Sequence, residues 1–223
     1  MEETFFNNII FDFGGVICNI DISITEKAFV DLGIRQFDKE YSVTERDNFF
    51  GSFETGKIMP HQFREILKNY FDRPVTNQQI DDAWNALLQD IPVSRIALLR
   101  KLAQQHRLFL LSNTNEIHYT KYLKELQIVH GIPGFGELFE KAYFSHQIGL
   151  RKPFREVFDF VVNDAVLDRN ETLFIDDSIQ HVEGARKAGL HAYHLSEGED
   201  ITDLFSPEMQ FLRPLSSSPH PRG

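Results

Sequence analysis

The stretch Asn8-Ile9-Ile10-Phe11-Asp12-Phe13-Gly14-Gly15 (residues 8–15) predicts a short buried strand that ends at an aspartate. Its side chains are apolar, β-branched or aromatic until the two glycines end the run. Similar segments follow at residues 107–111, 142–144, 172–175 and 191–194. Helical patterns lie between them, at residues 94–105, 116–126, 154–162 and 182–188. Strands that alternate with helices predict an α/β fold with a Rossmann-like, doubly wound parallel sheet.

The segment that follows the first strand has a different pattern. Residues 22–32, 44–53, 61–71 and 78–88 look helical, and no strand is evident among them. We therefore expect an inserted small α-helical cap domain at residues 19–91 and an α/β core formed by residues 1–18 and 92–205. Residues 206–223 contain four prolines and a triple serine, so we expect an exposed tail there.

Composition excludes several classes of protein. The chain has 33 acidic and 23 basic residues and a formal net charge of −10, which disfavours nucleic acid as a partner. The single cysteine, Cys18, forms no internal disulfide. No apolar run approaches the roughly 18–20 residues that span a bilayer, and the N-terminus lacks the features of a signal peptide. We expect a cytoplasmic protein with no membrane partner, as a monomer or small homo-oligomer.

Polar residues follow four of the predicted strands, where an open parallel sheet binds its ligands. They are Asp12, the pair Ser112-Asn113, Lys152 and the pair Asp176-Asp177. Taken singly, each has a structural explanation. Asn113 and Glu116 fit a helix capping box, and Asp177 or Ser178 fits a helix N-cap.

Taken together, these residues have complementary chemistry. Three neighbouring carboxylates repel one another unless a cation lies among them, and hard oxygen ligands suit Mg²⁺. A lysine, a hydroxyl and an amide beside that cation can bind the oxygens of a phosphoryl group. Phosphoryl transfer depends mainly on such positioning and charge neutralisation. The combination therefore predicts phosphoryl chemistry on a small phosphorylated metabolite.

Four segments resemble the motifs of the haloacid dehalogenase-like hydrolase superfamily, in the same order. They are residues 11–16, 111–115, 149–153 and 174–178. The Ser-Asn-Thr-Asn and Arg-Lys-Pro sequences within them are most similar to a bacterial subgroup that includes an α-glucose-1-phosphate phosphatase.

The resemblance implies a role for each matched residue. Asp12 is expected to attack phosphorus and form an aspartyl-phosphate, which water then hydrolyses. Ser112 and Asn113 are expected to bind phosphate oxygens, and Lys152 to pair with both the phosphate and Asp12. The implied ligands of Mg²⁺ are Asp12, the main-chain carbonyl of Gly14, Asp176 and Asp177.

One position departs from the family pattern. Phosphatases of this family usually carry a second aspartate two residues after the nucleophile, as a general acid–base, and here that position is Gly14. Three alternatives stay open: a phosphatase with another proton donor, a metal-free 2-haloacid dehalogenase, or a non-enzymatic phospho-ligand-binding protein. Asp21 is a candidate donor, although it also fits the N-cap of the next helix.

The cap is expected to select the substrate. Polar residues that could contribute are Asp21, Arg46, Glu54 and Thr55. Gly56 follows them and fits a left-handed helix stop. For His118, near the start of the helix after Ser112, surface exposure is the preferred interpretation.

Overall fold

The computed structural model describes residues 4–34 and 43–215, except for the side chains of residues 43–48. Its sheet has five strands: β1 (Asn8–Phe11), β2 (Arg107–Ser112), β3 (Lys141–Phe144), β4 (Thr172–Asp176) and β5 (His191–His194). Their spatial order is β3-β2-β1-β4-β5, and every neighbouring pair is parallel. The predicted α/β fold with a parallel sheet is confirmed.

Eight of the described helices agree with the predicted pattern to within a few residues, and the short helix Ser145–Ile148 was not predicted. In chain order the helices are α1 (Ile22–Leu32), α2 (Val43–Glu54), α3 (Pro60–Lys68), α4 (Asn77–Asn85), α5 (Val93–Leu102), α6 (Glu116–His130), α7 (Ser145–Ile148), α8 (Arg155–Asp164) and α9 (Ile179–Lys187). Among the described residues, no helix combines the length and apolar character that crossing a bilayer requires.

Both faces of the sheet are buried, which explains the continuous apolar run in β1. Ile9 and Phe11 belong to the cluster on one face, and Ile10 belongs to the cluster on the other. Successive side chains of a strand point to opposite faces, so a strand covered on both sides must be apolar throughout. The first polar side chain after the run, Asp12, therefore marks the edge of the sheet.

Helices α1 to α4 lie between β1 and α5 in the chain and contribute most of an apolar cluster that also includes Ile117 of α6. Phe53 stacks on Phe63 with ring centroids 4.0 Å apart, and Phe29 and Ile80 are also buried in this cluster. The segments that lead into and out of these helices pair with each other. The Asn19 amide donates to the Asp90 carbonyl and the Gln89 amide to the Asn19 carbonyl, each at 2.9 Å.

The expectation of an exposed tail from Ser206 is wrong for the part that the structure describes, up to Leu215. Phe211 is 1 % exposed and packs edge-on against Phe6 and Tyr193. Its backbone pairs with Thr4 through two hydrogen bonds, of 3.0 and 2.9 Å. Burial of this large aromatic side chain outweighs the local preference of a proline-rich segment for solvent. Residues 216–223, which include the triple serine, lie outside the described residues.

Candidate active site

Asp12 lies at the carboxyl edge of the sheet, where the order of the strands reverses. Its amide donates to the Ile175 carbonyl at 2.9 Å, so the β1–β4 ladder extends to this residue. The chain continues from β1 to β2 on one side, whereas β4 lies on the other side of β1. In open α/β sheets, ligands bind at such a point. The Asp12 side chain is therefore in the position of a ligand-binding or reacting group.

Lys152 connects Asp12 to the end of β4. Its Nζ lies 2.8 Å from Asp12 Oδ1 and 2.6 Å from Asp176 Oδ2, and its side chain is 0 % exposed. Burial alone lowers the pKa of a lysine, but the two carboxylates reverse the effect and raise the pKa of Lys152 above its ordinary value. Lys152 is thus a fixed positive charge beside Asp12.

Asn113 holds the backbone of Lys152 in place. Its Nδ2 donates to the Lys152 carbonyl at 3.0 Å, and its Oδ1 accepts from the Lys152 amide at 2.9 Å. The proposed capping box of Asn113 and Glu116 is wrong, because the N-cap of α6 is Asn115. Asn115 Oδ1 accepts from the amides of Ile117 and His118. The side chain of Asn113 therefore positions Lys152. The backbone amide of Asn113 remains the candidate for binding a phosphate oxygen.

Ser112 ends β2 beside Asp12. It is 2 % exposed, and the pairing of Phe11 with Leu110 places it at the same edge of the sheet as Asp12. The next residues are held by Ser145, whose Oγ accepts from the Thr114 amide and donates to its carbonyl, both at 2.9 Å. Ser112 and Asn113 thus lie on a fixed turn.

Asp177 packs directly on the loop that follows β1. A Cβ atom built on Gly15 would lie 2.0 Å from Asp177 Oδ2, and Gly15 has a φ of +76°. Only glycine combines this backbone conformation with such a close approach. Burial and the charge of Asp176 raise the pKa of Asp177. The carboxylate therefore lies against the Gly14-Gly15 turn, whose Gly14 carbonyl was the predicted metal ligand.

His181 belongs to the site and was missed by the sequence analysis. Its Nδ1 lies 3.0 and 3.1 Å from the two carboxylate oxygens of Asp176. Ligand atoms of Asp12, Asp176 and His181 all lie within 4.8 Å of one another. A histidine in the first turn of the helix that follows Asp176-Asp177 was the available signal in the sequence.

The charges of the site suit a divalent cation. The carboxylates of Asp12, Asp176 and Asp177 exceed the single ammonium of Lys152 by two negative charges. Burial and the neighbouring charges of Asp176 and Asp177 raise the pKa of Asp12 to about 7, although Lys152 opposes this. A cation bound among hard oxygen ligands removes this repulsion. The residues present fit Mg²⁺, with Asp12, Asp176, Asp177 and the Gly14 carbonyl as the candidate ligands.

The predicted specificity residues have different surroundings. Asp21 is exposed and caps α1, accepting from the Ser23 amide at 3.0 Å, as its helix-cap interpretation predicted. The Thr55 hydroxyl donates to the Gly51 carbonyl at 2.7 Å and closes the end of α2. Glu54 pairs with Arg151, the neighbour of Lys152, at 3.3 Å. The side chain of Arg46 lies outside the described residues.

His118 is buried, not exposed as expected. It stacks on Trp84 of α4 with centroids 5.0 Å apart, and its Nδ1 lies 2.9 Å from Asn85 Oδ1. Burial lowers the pKa of His118 to about 3. The large aromatic surface of Trp84 offers more favourable packing than solvent does. His118 therefore joins α4 to α6.

Comparison with known proteins gives consistent results. Residues 9–194 match the family model described as haloacid dehalogenase-like hydrolase. A D-ribitol-5-phosphate phosphatase of Bacteroides thetaiotaomicron is 30 % identical over 193 residues, which cover 86 % of this chain and 93 % of that protein. A sesquiterpene phosphatase of Aspergillus oryzae is 25 % identical over 197 residues, covering 87 % and 92 %.

Solved structures agree with this result. A HAD family enzyme from Bacteroides thetaiotaomicron, crystallised with magnesium and inorganic phosphate, superposes with a TM-score of 0.80 at 34 % identity. The match covers 90 % of this chain and all (100 %) of that one. On sequence and on fold, the chain belongs to the haloacid dehalogenase-like hydrolase family.

Proposed function

We propose that this protein is a Mg²⁺-dependent phosphatase that hydrolyses a small phosphate monoester through an aspartyl-phosphate. The observation that carries the proposal is the buried ion pair of Lys152 with Asp12, 2.8 Å apart, at the strand edge that also bears Asp176. A carboxylate held beside a fixed positive charge is suited to attack the phosphorus of an anionic ester.

Each residue has a distinct part in this mechanism. Asp12 supplies the attacking carboxylate oxygen, and Lys152 binds a phosphate oxygen while it orients Asp12. Ser112 and the backbone of Asn113 donate to the remaining oxygens from the turn after β2. When bound, Mg²⁺ neutralises the negative charge shared by the phosphate and the carboxylates. Asp176 holds Lys152 and, with Asp177, provides acidic ligands for the ion.

We propose the same division of the chain that the sequence predicted, with residues 19–91 as a cap over the core formed by 1–18 and 92–205. Its support is the apolar cluster formed mainly by α1 to α4 and the paired segments at residues 19 and 89–90. A cap that closes over the sheet edge excludes water from the reacting phosphate.

For the substrate, we propose a phosphorylated polyol or sugar. The support is the relative from Bacteroides thetaiotaomicron, a D-ribitol-5-phosphate phosphatase that is 30 % identical to this chain over 193 residues. The subgroup similarity seen in the sequence points to the same class, because α-glucose 1-phosphate is also a hydroxylated alkyl phosphate.

Gly14 favours a second candidate, a protein that binds phosphorylated ligands without turnover. General acid–base catalysis contributes about 10²–10⁴-fold, so its loss is substantial. A metal-free dehalogenase is the weaker alternative. In a metal-free site the excess of two negative charges around Asp12 would stay unbalanced, whereas a divalent cation neutralises it.

The proposed function is tested by phosphate release from D-ribitol 5-phosphate, α-glucose 1-phosphate, other polyol phosphates and an aryl phosphate. We expect turnover with Mg²⁺ and none with EDTA. Asp12→Asn should lower kcat at least about 10⁴-fold, as expected for loss of a nucleophile. Asp31→Asn, a change of an exposed aspartate on α1, serves as the control and should leave kcat unchanged.

Two results would contradict the proposal. Normal hydrolysis by the Asp12→Asn variant would show that another group attacks phosphorus. Tight binding of the phosphate esters without turnover of any of them would favour the binding protein.

We also propose that the protein acts in the cytoplasm as a monomer or small homo-oligomer. The acidic net charge of −10 disfavours nucleic acid as a partner. The single cysteine, Cys18, is buried, so an oxidising compartment would offer the fold no stabilising disulfide.

A further inference from the structure

The leaving oxygen of an alkyl phosphate needs a proton, and position 14 has no side chain to donate one. An alkoxide is a poor leaving group, and protonation in the transition state is the usual remedy. The following inference rests on the proposed phosphatase function and concerns the group that supplies this proton.

Two close approaches hold the end of α2 against the core. A Cβ atom on Gly51 would lie 2.4 Å from Arg151 Nη1, and one on Gly56 would lie 2.3 Å from the His146 carbonyl oxygen. Gly56 also has a left-handed backbone, with φ of +69°. Glu54 lies between these two glycines in the chain. Its side chain therefore lies against the loop that carries Arg151 and Lys152.

The carboxyl group of Glu54 is only partly neutralised there. Its Oε2 lies 3.3 Å from Arg151 Nη2, within ion-pairing range, and the side chains are 29 % and 31 % exposed. Oε2 itself is buried, and within the described part of the chain no group donates a hydrogen bond to it. A buried oxygen without a donor favours the protonated, neutral carboxyl group.

Charged groups of the site act on Glu54. Burial raises its pKa, and the positive charges of Arg151 and Lys152 oppose this without cancelling it. Lys152 contacts Asp12, and both Lys152 and His181 contact Asp176. On the proposed division of the chain, Glu54 therefore approaches this cluster from the cap, the side on which we expect the leaving group of a substrate bound to Asp12.

Other acidic or imidazole groups fit the role less well. Asp21 is exposed, and its Oδ1 accepts from both the amide and the hydroxyl of Ser23. His118 is enclosed between Trp84 and Asn85. His181 is held by both carboxylate oxygens of Asp176.

We propose that Glu54 is the general acid–base that replaces the missing aspartate at Gly14. As Asp12 forms its bond to phosphorus and the ester P–O bond breaks, the Glu54 carboxyl proton passes to the leaving oxygen, which departs as an alcohol. Glu54 is left as a carboxylate. It then accepts a proton from water as that water attacks phosphorus, the bond to Asp12 breaks, and inorganic phosphate leaves.

The test compares Glu54→Gln with wild type on two substrates: the best alkyl phosphate found for the wild type, and p-nitrophenyl phosphate. The amide keeps the size of the side chain but cannot donate a proton as an acid. We expect kcat/KM for the alkyl phosphate to fall about 10²–10⁴-fold. For the aryl phosphate, whose leaving group needs no proton, kcat/KM should change less than about threefold.

The second half-reaction gives an independent readout. In Glu54→Gln the phosphorylated enzyme should hydrolyse slowly, so p-nitrophenyl phosphate should give a burst of about one p-nitrophenol per active site and then slow turnover. Glu65→Gln, an exposed glutamate on α3 of the cap, is the matched control and should behave as wild type on both substrates. Thermal unfolding of each variant checks that it is folded.

The outcomes separate this inference from the proposed function. An equal loss of kcat/KM on both substrates, or no loss on either, would overturn the role of Glu54 while wild-type turnover still supports the phosphatase. If Glu54→Gln unfolds, Glu54→Asp replaces it, because a shorter acid should retain part of the alkyl activity and show no burst. Absence of turnover in the wild type on every ester would instead contradict the phosphatase itself.

Discussion

At the residue scale, Lys152 carries a positive charge in a fully buried position between Asp12 and Asp176. The charge persists there because two carboxylates raise its pKa against the effect of burial. The same contacts make the lysine a structural element. Without it, the largely buried carboxylates of Asp12 and Asp176 would lose their positively charged partner.

We therefore predict that Lys152→Met lowers the free energy of unfolding by about 3–5 kcal/mol in the absence of Mg²⁺, the usual cost of breaking a buried ion pair on one side. Urea denaturation measures this. The control is Lys27→Met, which removes an exposed ion pair with Asp31 and should cost less than about 1 kcal/mol. Similar midpoints for the two variants would show that Lys152 contributes only to catalysis.

At the element scale, Gly56 and Gly131 allow a comparison of two helix ends. Gly56 follows the end of α2 and Gly131 ends α6, and their φ values are 69° and 63°. A Cβ on Gly56 would collide with the His146 carbonyl, whereas one on Gly131 would meet no described atom within 4 Å. The two positions share the same backbone strain but differ in the space available.

We predict that Gly131→Ala costs about 1 kcal/mol, from left-handed strain alone. Gly56→Ala should cost at least about 2 kcal/mol, because the end of α2 must also move away from α7. It should also lower kcat, since Glu54 moves with the helix end, whereas Gly131→Ala should not. Chemical denaturation and steady-state kinetics check both parts. Equal costs for the two variants would contradict the close approach at Gly56.

At the scale of the whole molecule, the joint between α4 and α6 makes stability depend on pH. His118 is buried there against Trp84, and its pKa is lowered to about 3. Between that value and the ordinary pKa of about 6.5, the unfolded chain binds a proton that the folded chain does not. The contribution of His118 to stability is thus present above pH 6.5 and is lost as the pH falls. Asp12 has the opposite effect: because its pKa is raised in the folded protein, its contribution to stability increases as the pH falls.

Because these effects overlap, the prediction concerns the difference between wild type and His118→Gln, in which the contribution of Asp12 cancels. That difference in the free energy of unfolding should shrink by about 2 kcal/mol between pH 6.5 and pH 5. Denaturant titrations at several pH values measure it. A difference that does not change with pH would mean that His118 has the same pKa in the folded and the unfolded protein.

The sequence by itself determined the sheet and its polar edge. Both faces of a central parallel strand are buried, so its sequence is apolar throughout. The first polar residue after the apolar run marks the edge of the sheet where ligands bind. That rule identified Asp12, Ser112 and Asp176 as neighbours, although they are far apart in the chain.

Only the tertiary structure decided which side chains contact one another. The sequence left Asn113 with two interpretations, phosphate binding or a helix cap, and in the structure its side chain binds the backbone of Lys152. His181 contacts the carboxylate of Asp176, five residues before it. The approach of Glu54 to Arg151 and the burial of His118 and Phe211 depend on contacts between distant segments. Local patterns record the preferences of each segment for helix, strand or turn, whereas these contacts form only when the packing of the whole chain brings the segments together.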